Sequence, residues 1–198
     1  RVDKMKHVYF FTGFPGFISN QLIRELLDTD ADFSKLVAIV LPSQIEKAQD
    51  ERNKIIHEFH LSEEQFLFVA GDISKPGLNI PKDESVFEKA DITHVFHLAA
   101  IYDLAVPKEI AYSVNVEGTR NMNEFVKTLP NIKRYTYFST AYVAGRREGN
   151  LYEDELIRPE AFKNFYEETK YEAEVLVRSL MDEVPVTIIR PGIVKGST

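Results

Sequence analysis

The sequence predicts an α/β fold, a doubly wound parallel sheet with helices on both faces. Three observations carry that expectation. Six short apolar runs alternate with segments of helical periodicity. The runs are near-continuously apolar, as in strands buried on both faces. Residues with unusual potential (Gly13, Asp72, Ala99, Thr140 and Pro191) fall at or just past the ends of those runs, the sheet edge where such folds hold ligands.

The elements follow in order. His7-Val8-Tyr9-Phe10-Phe11 reads as a first strand, and Ile18, Leu22, Ile23, Leu26 and Leu27 repeat at helical spacing behind it. Residues 36–41 read as a second strand. Ile45, Ala48, Arg52, Ile55, Ile56 and Phe59 then mark a helix. Residues 66–70 form a third strand ending in Gly71-Asp72, and residues 93–97 a fourth ending in Leu98-Ala99-Ala100. A long helix is expected over 108–128, with Ile110, Ala111, Val114, Met122, Phe125 and Val126 on its buried side. Residues 134–139 and 186–190 complete the strands, separated by a polar loop over 145–158 and a helix carrying Tyr166. Right-handed crossovers between parallel strands give the doubly wound order. Residues 1–4, ahead of Met5, stand outside the fold, and 5–198 read as one domain with one sizeable core.

Thr12-Gly13-Phe14-Pro15-Gly16-Phe17 joins the first strand to the first helix. A strand that turns through glycine into a helix aims backbone N–H groups and the positive helix end at one point, where phosphate binds. Gly13 permits the tight turn and Gly16 a close backbone approach, which makes Gly13, Phe14, Pro15, Gly16, Phe17 and Ile18 candidate contacts for a dinucleotide pyrophosphate. Ser19 stands at the third small position and is expected to crowd helix–strand packing slightly; Pro15 removes one donor. The same loop also serves as an ordinary strand–helix turn. Asp72 suits an adenine amino group or caps the turn that follows it. Ala99 and Ala100 leave room beside a flat ligand or simply pack.

Composition excludes several classes. The chain has 198 residues and a formal charge of −7, which argues against nucleic acid or an anionic membrane as the main partner. It has no cysteine, so disulfides, thiolate metal sites and cysteine nucleophiles are excluded; this fits a reducing compartment, and a cytoplasmic location is expected. No apolar run is long enough to span a bilayer. His57 and His60 lack the spacing of a metal-binding helix, and His94 and His97 should face opposite sides of their strand, so no metal is expected. Glu153-Asp154-Glu155 and Glu167-Glu168 read as solvated charge.

Tyr166 and Lys170 are four residues apart, hence on one helix face. That face continues through Phe162, Thr169, Ala173, Leu176, Val177 and Leu180. A lysine in an apolar stripe needs a reason, because an unpaired buried ammonium is costly. Its charge favours tyrosinate, so the phenol can exchange a proton with a substrate oxygen near neutral pH. Thr140 or Ser139, at the end of the fifth strand, offers a hydroxyl to the same oxygen. The plainer alternative is a packed tyrosine beside a snorkelling lysine.

These motifs, with Asn115-Val-Glu-Gly-Thr, Phe138-Ser-Thr-Ala-Tyr-Val-Ala-Gly and Arg190-Pro191-Gly192, resemble the extended short-chain dehydrogenases/reductases over nearly the whole chain. The resemblance implies a Rossmann fold and a nicotinamide cofactor. It implies Thr140 as the catalytic hydroxyl, Tyr166 as acid/base, and Lys170 as ligand of the nicotinamide ribose. It also puts Asp72 and Ile73 on adenine, Pro191 by the carboxamide, and Asn115 in support of the helix near the site. The Ser-Thr-Ala-Tyr-Val and Arg-Pro-Gly-Ile-Val-Lys-Gly wording is most similar to the thioester-reductase and fatty-acyl-reductase branch, which implies an acyl-thioester or other carbonyl substrate. Family members pair through helices equivalent to 108–128 and 162–181, which implies a homodimer, and they continue into a substrate region expected to lie outside these residues.

The family marks cofactor choice after its second strand with an acid or an arginine. Here the stretch is Val40-Leu41-Pro42-Ser43-Gln44, with neither, and Ser43 and Gln44 can reach a phosphate, so NADP and NAD both stay open. Two other functions share the pattern. A nucleotide-sugar epimerase or dehydratase keeps its cofactor through each cycle, and a non-enzymatic cofactor sensor would not need Thr140, Tyr166 and Lys170.

Overall fold

The computed structural model describes residues 6–82, 86–100, 105–140 and 165–190. Six parallel strands form one sheet: β1 (His7–Thr12), β2 (Phe33–Val40), β3 (Phe66–Ala70), β4 (His94–His97), β5 (Arg134–Phe138) and β6 (Val186–Ile189). Their order is β3-β2-β1-β4-β5-β6. The winding therefore reverses between β1 and β4, where Phe10 lies between Val37 of β2 and Val95 of β4. A crevice opens at such a reversal because consecutive crossovers leave on opposite sides of the sheet.

Strand alternation builds two cores. Tyr9, Phe11, Leu36, Ala38 and Phe96 face α1 (Phe17–Thr29) and α2 (Ile45–Phe59), which bury Ile23, Ala48 and Ile55 against them. Phe10, Val37, Val95, Tyr135 and Tyr137 face the other layer, where Met122, Phe125, Val126, Ala173 and Val177 close the core. That layer holds α3 (Lys108–Ala111), a π-helical stretch over Tyr112–Glu117, α4 (Gly118–Lys127) and α5 (Phe165–Arg178). The doubly wound expectation is met on both faces.

Two expectations fail. Helical periodicity puts Ile110 on the buried side of the 108–128 helix, but it is 50% exposed. The π-helical stretch is the reason. It widens the turn just after Ile110, so a 3.6-residue period cannot be carried across it. Glu167 reads as solvated charge in the sequence, yet it is 1% exposed on the inner face of α5. Arg52, on the buried stripe of α2, is spent on structure: it donates to the carbonyls of Phe66 and Glu63. His94 and His97 do face opposite sides of β4, the first against His7 and Tyr9, the second against Tyr137.

Candidate active site

The glycine turn is built as the sequence requires. Gly13 has φ +89, and a Cβ there would lie 2.9 Å from the Leu98 carbonyl carbon and 3.0 Å from the Ala99 nitrogen. Gly16 is the N-cap of α1 and has no side chain to occupy the first N–H groups; a Cβ on it would sit 2.7 Å from the Gly13 oxygen. Ser19, expected to crowd helix–strand packing slightly, is buried and closes the turn. Its hydroxyl is shared between the Gly13 and Gly16 carbonyls, 2.9 Å from each. Asn20 Nδ2 donates to the carbonyls of Pro15 and Gly16 at 2.9 and 3.0 Å. The turn's carbonyls are thus tied back to α1, which leaves the helix N-terminus as the polar end presented to the crevice.

A cavity of about 540 Å³ lies against this turn at the C-terminal ends of β1, β2, β3 and β4. Gly13, Phe14, Pro15, Gly16, Phe17, Ile18, Asp72, Ile73, Ala99 and Ala100 all line it. Asp72 also serves the local turn, with Oδ1 accepting from the Ser74 backbone N–H at 2.9 Å and from the Ser74 hydroxyl at 2.7 Å. Ser43, expected near a phosphate, is not in the lining; Gln44 and Lys47 are. Lys47 is absent from the sequence candidates because it lies in the first turn of α2, beyond the strand-end stretch that carries the cofactor-choice signal. Its 3.6-residue phase with Gln44 was the available signal. Pro191, Phe162 and the 145–158 loop lie outside the described residues.

The residues expected to carry the proton lie beyond this lining. Tyr166 and Lys170 are both buried on the inner face of α5, 5% and 2% exposed. Lys170 Nζ donates to the Phe138 carbonyl at 2.9 Å, which fixes it at the end of β5, and it sits 4.5 Å from the centre of the Tyr137 ring. Thr140, also buried, follows two residues after Phe138. Burial pushes the Lys170 ammonium down to about 7, partly opposed by the Glu174 carboxylate one turn on. Glu174 is itself fully buried, in a bidentate pair with Arg190 (2.9 and 2.6 Å) and a bond from Arg178 at 3.1 Å. Burial pushes its carboxyl up, and the Arg190 and Arg178 bonds overcome that, holding it below the ordinary carboxylate range.

The Asn115-Val-Glu-Gly-Thr motif resolves into separate jobs. Asn115 Nδ2 donates to the Thr169 hydroxyl at 3.0 Å, joining the π-helical stretch to α5 one residue from Lys170. Gly118 admits Ile73, whose Cδ1 would lie 2.8 Å from a Cβ there. Thr119 meets His97. At the opposite end of the sheet, His7, Asp30 and Asp32 bring metal-ligating atoms within 4.8 Å of one another. That carboxylate is already engaged, since Asp30 Oδ2 accepts from His7 and Tyr9 and Oδ1 from the Asp32 N–H.

The family model described as male sterility protein matches residues 11–198. Fatty acyl-CoA reductase wat of Drosophila melanogaster is 29% identical over 155 residues, 66% of this chain and 30% of that protein. A putative fatty acyl-CoA reductase of the same organism is 24% identical over 224 residues, 95% of this chain and 41% of that protein. The chain thus spans well under half the length of these relatives. The terminal R domain from the myxalamid PKS-NRPS biosynthetic pathway superposes with a TM-score of 0.79 at 28% identity, over 96% of this chain and 50% of that one. UDP-glucuronic acid 4-epimerase from Bacillus cereus, at 24% identity, shares the fold with a TM-score of 0.67 over 92% of this chain and 55% of that one. With the parallel sheet, the glycine turn and the Tyr166/Lys170 helix, these likenesses fix the lineage: the chain belongs to the male sterility protein family, an NAD-binding group within the extended short-chain dehydrogenases/reductases.

Proposed function

We propose that this chain is the cofactor-binding part of an NAD(P)-dependent reductase acting on an acyl thioester, with Tyr166 as proton donor assisted by Lys170 and Thr140. The observation that carries the reading is Lys170, a lysine buried one helical turn from a tyrosine and anchored to the end of the strand that leads to Thr140. A purely structural lysine would have little reason to bear this desolvation. The crevice suits a dinucleotide: its volume is that of a cofactor site, its walls are mostly apolar, and its polar end is a helix terminus behind two glycines.

When bound, the nicotinamide supplies the hydride. The chain's own part is to hold and deliver a proton. The Lys170 ammonium favours the anionic form of the Tyr166 phenol and so eases loss of its proton to the developing alkoxide. The Thr140 hydroxyl donates a hydrogen bond to the same substrate oxygen and fixes its position. Lys170, titrating close to neutrality, then returns a proton to the phenolate.

Lys47 and Gln44, beside Ile39 and Leu41 at the end of β2, bias the cofactor toward NADP: a cation and an amide are suited to an added phosphate, and a carboxylate in that place would repel it. Titration of nicotinamide fluorescence tests the cofactor, and loss of NADPH absorbance on adding a long-chain acyl-CoA tests the reaction. Saturable NADPH binding with release of the oxidised cofactor is expected. Oxidised cofactor held through turnover, with no net consumption, would favour epimerase-type chemistry instead.

A further inference from the structure

His97 ends β4 and is fully buried, yet no part of the proposed mechanism uses it. Its two nitrogens meet two threonine hydroxyls from different elements. Nδ1 lies 2.7 Å from Thr12 Oγ1, at the end of β1, and Nε2 lies 2.9 Å from Thr119 Oγ1, in α4. The Thr12 hydroxyl also accepts the backbone N–H groups of Leu98 and Ala99, at 3.0 and 2.9 Å.

The proton directions follow by counting. A hydroxyl has two lone pairs and one proton. Both Thr12 lone pairs are taken by Leu98 and Ala99, so its proton can only go to His97 Nδ1. Nδ1 is then an acceptor, the ring proton sits on Nε2, and Nε2–H donates to Thr119. Protonating Nδ1 would set two hydrogens against each other. Burial, and secondarily the charge of Lys170, push the imidazolium down to about 3, consistent with a ring that stays neutral.

We infer that His97 is a positioning residue that holds the cofactor wall to the proton-carrying half of the molecule. Through Thr12 it pins the Leu98–Ala99 backbone, the wall against which the Gly13 turn closes. Its ring packs against Tyr137 at 5.4 Å, and Tyr137 in turn carries Lys170 Nζ. One imidazole thus ties the ends of β1 and β4 to α4 and, across one aromatic ring, to Lys170. The inference rests on the cofactor reading for its purpose, while the hydrogen-bond directions stand on geometry alone.

The test uses the whole chain and three variants. Thr12→Val keeps the shape and removes the hydroxyl, Thr12→Ser restores it, and Thr119→Val removes the acceptor of Nε2. NADPH affinity is read by fluorescence, and the His97 tautomer by long-range proton–nitrogen NMR. Loss of one buried hydrogen-bonded anchor is worth roughly 1.4 kcal/mol, so Thr12→Val is expected to weaken NADPH binding about tenfold. Thr12→Ser is expected to stay within about twofold of the original. Wild-type His97 is expected to keep its proton on Nε2 from about pH 8 to pH 5.

A folded Thr12→Val that binds NADPH normally would overturn the inference, as would a His97 protonated on Nδ1. A merely structural role would lower the melting temperature and leave affinity unchanged. If Thr12→Val does not fold, weaker binding in Thr119→Val supports the inference and unchanged binding overturns it. Failure of the wild-type chain to bind NADPH or NADH would count against the cofactor reading and with it the purpose assigned to His97. The tautomer would still decide the hydrogen-bond directions.

Discussion

Replacing Lys170 by Met should change how stability depends on pH. The Lys170 amine is almost fully buried, with one carbonyl, one aromatic ring and a carboxylate one turn away to hold its charge. Burial dominates, and the group titrates at about 7 in the folded chain against an ordinary value of 10.5. The folded value is the depressed one. Between these two pH values the unfolded chain binds one proton more than the folded chain, so stability rises with pH across that window. It declines as pH falls toward 7, and below that the group contributes no further slope. One proton corresponds to about 1.4 kcal/mol per pH unit, so from about pH 7.5 to pH 9 the gain is roughly 2 kcal/mol. Tyr9 and Tyr135 are both pushed upward by burial and do not titrate in this window. Met keeps the apolar stem and has no proton to exchange, so the difference between the two proteins isolates Lys170. Urea unfolding at half-unit pH steps measures it. Parallel pH profiles for the two proteins would refute the burial argument and, with it, the idea that Lys170 changes protonation near neutrality.

Three further predictions follow from the same geometry. Gly13→Ala must put a Cβ against the Leu98–Ala99 backbone at a positive φ, whereas Gly77→Ala, with φ +65 and open space around it, meets only the conformational cost. Both should lose about 1–2 kcal/mol of stability in thermal unfolding, with Gly13→Ala losing more and also losing NADPH binding. Arg190→Leu leaves the buried Glu174 carboxylate with Arg178 as its remaining arginine partner, and a broken buried pair typically costs 3–5 kcal/mol, about that much being expected in urea unfolding. Because the Glu174 carboxyl is held below its ordinary value, its stabilisation is present above that value and fades as pH falls, so Arg190→Leu should also shift acid unfolding to higher pH. Lys47→Glu should lower the NADPH to NADH affinity ratio by at least about tenfold in parallel fluorescence titrations, since it turns a cation in the first turn of α2, in the crevice lining, into an anion.

Much of this architecture was legible in the sequence because it is local. The strands are short apolar runs that need no partner to be recognised, and the Gly13 turn and the Tyr166/Lys170 face are fixed by spacing alone. Ten predicted cofactor contacts line one cavity because strand ends converge wherever a parallel sheet reverses its winding. What was not legible depends on distant partners. His97 reads in the sequence as a strand residue facing away from His94, but its partners are Thr12, 85 residues before it, and Thr119, 22 after it. Glu167 and Glu174 carry the same charge as a surface glutamate, and only the folded chain shows Glu174 buried with Arg178 and Arg190. Ile110 was misplaced because periodicity assumes one helix type, and the π-helical stretch beginning at Tyr112 breaks that assumption. Ser19 was read by its volume, yet it matters through its hydroxyl, which closes the turn.

The central claim is that a proton from Tyr166 accompanies hydride transfer in a site whose cofactor is held elsewhere, by the glycine turn. Tyr166→Phe removes the phenolic hydroxyl and nothing else. Its NADPH affinity and its rate of NADPH oxidation by an acyl-CoA, measured side by side with the wild type, form the most direct test. The account predicts affinity within about twofold and a rate lowered by at least about a hundredfold, the usual scale of a lost general acid. An undiminished rate in Tyr166→Phe would contradict it.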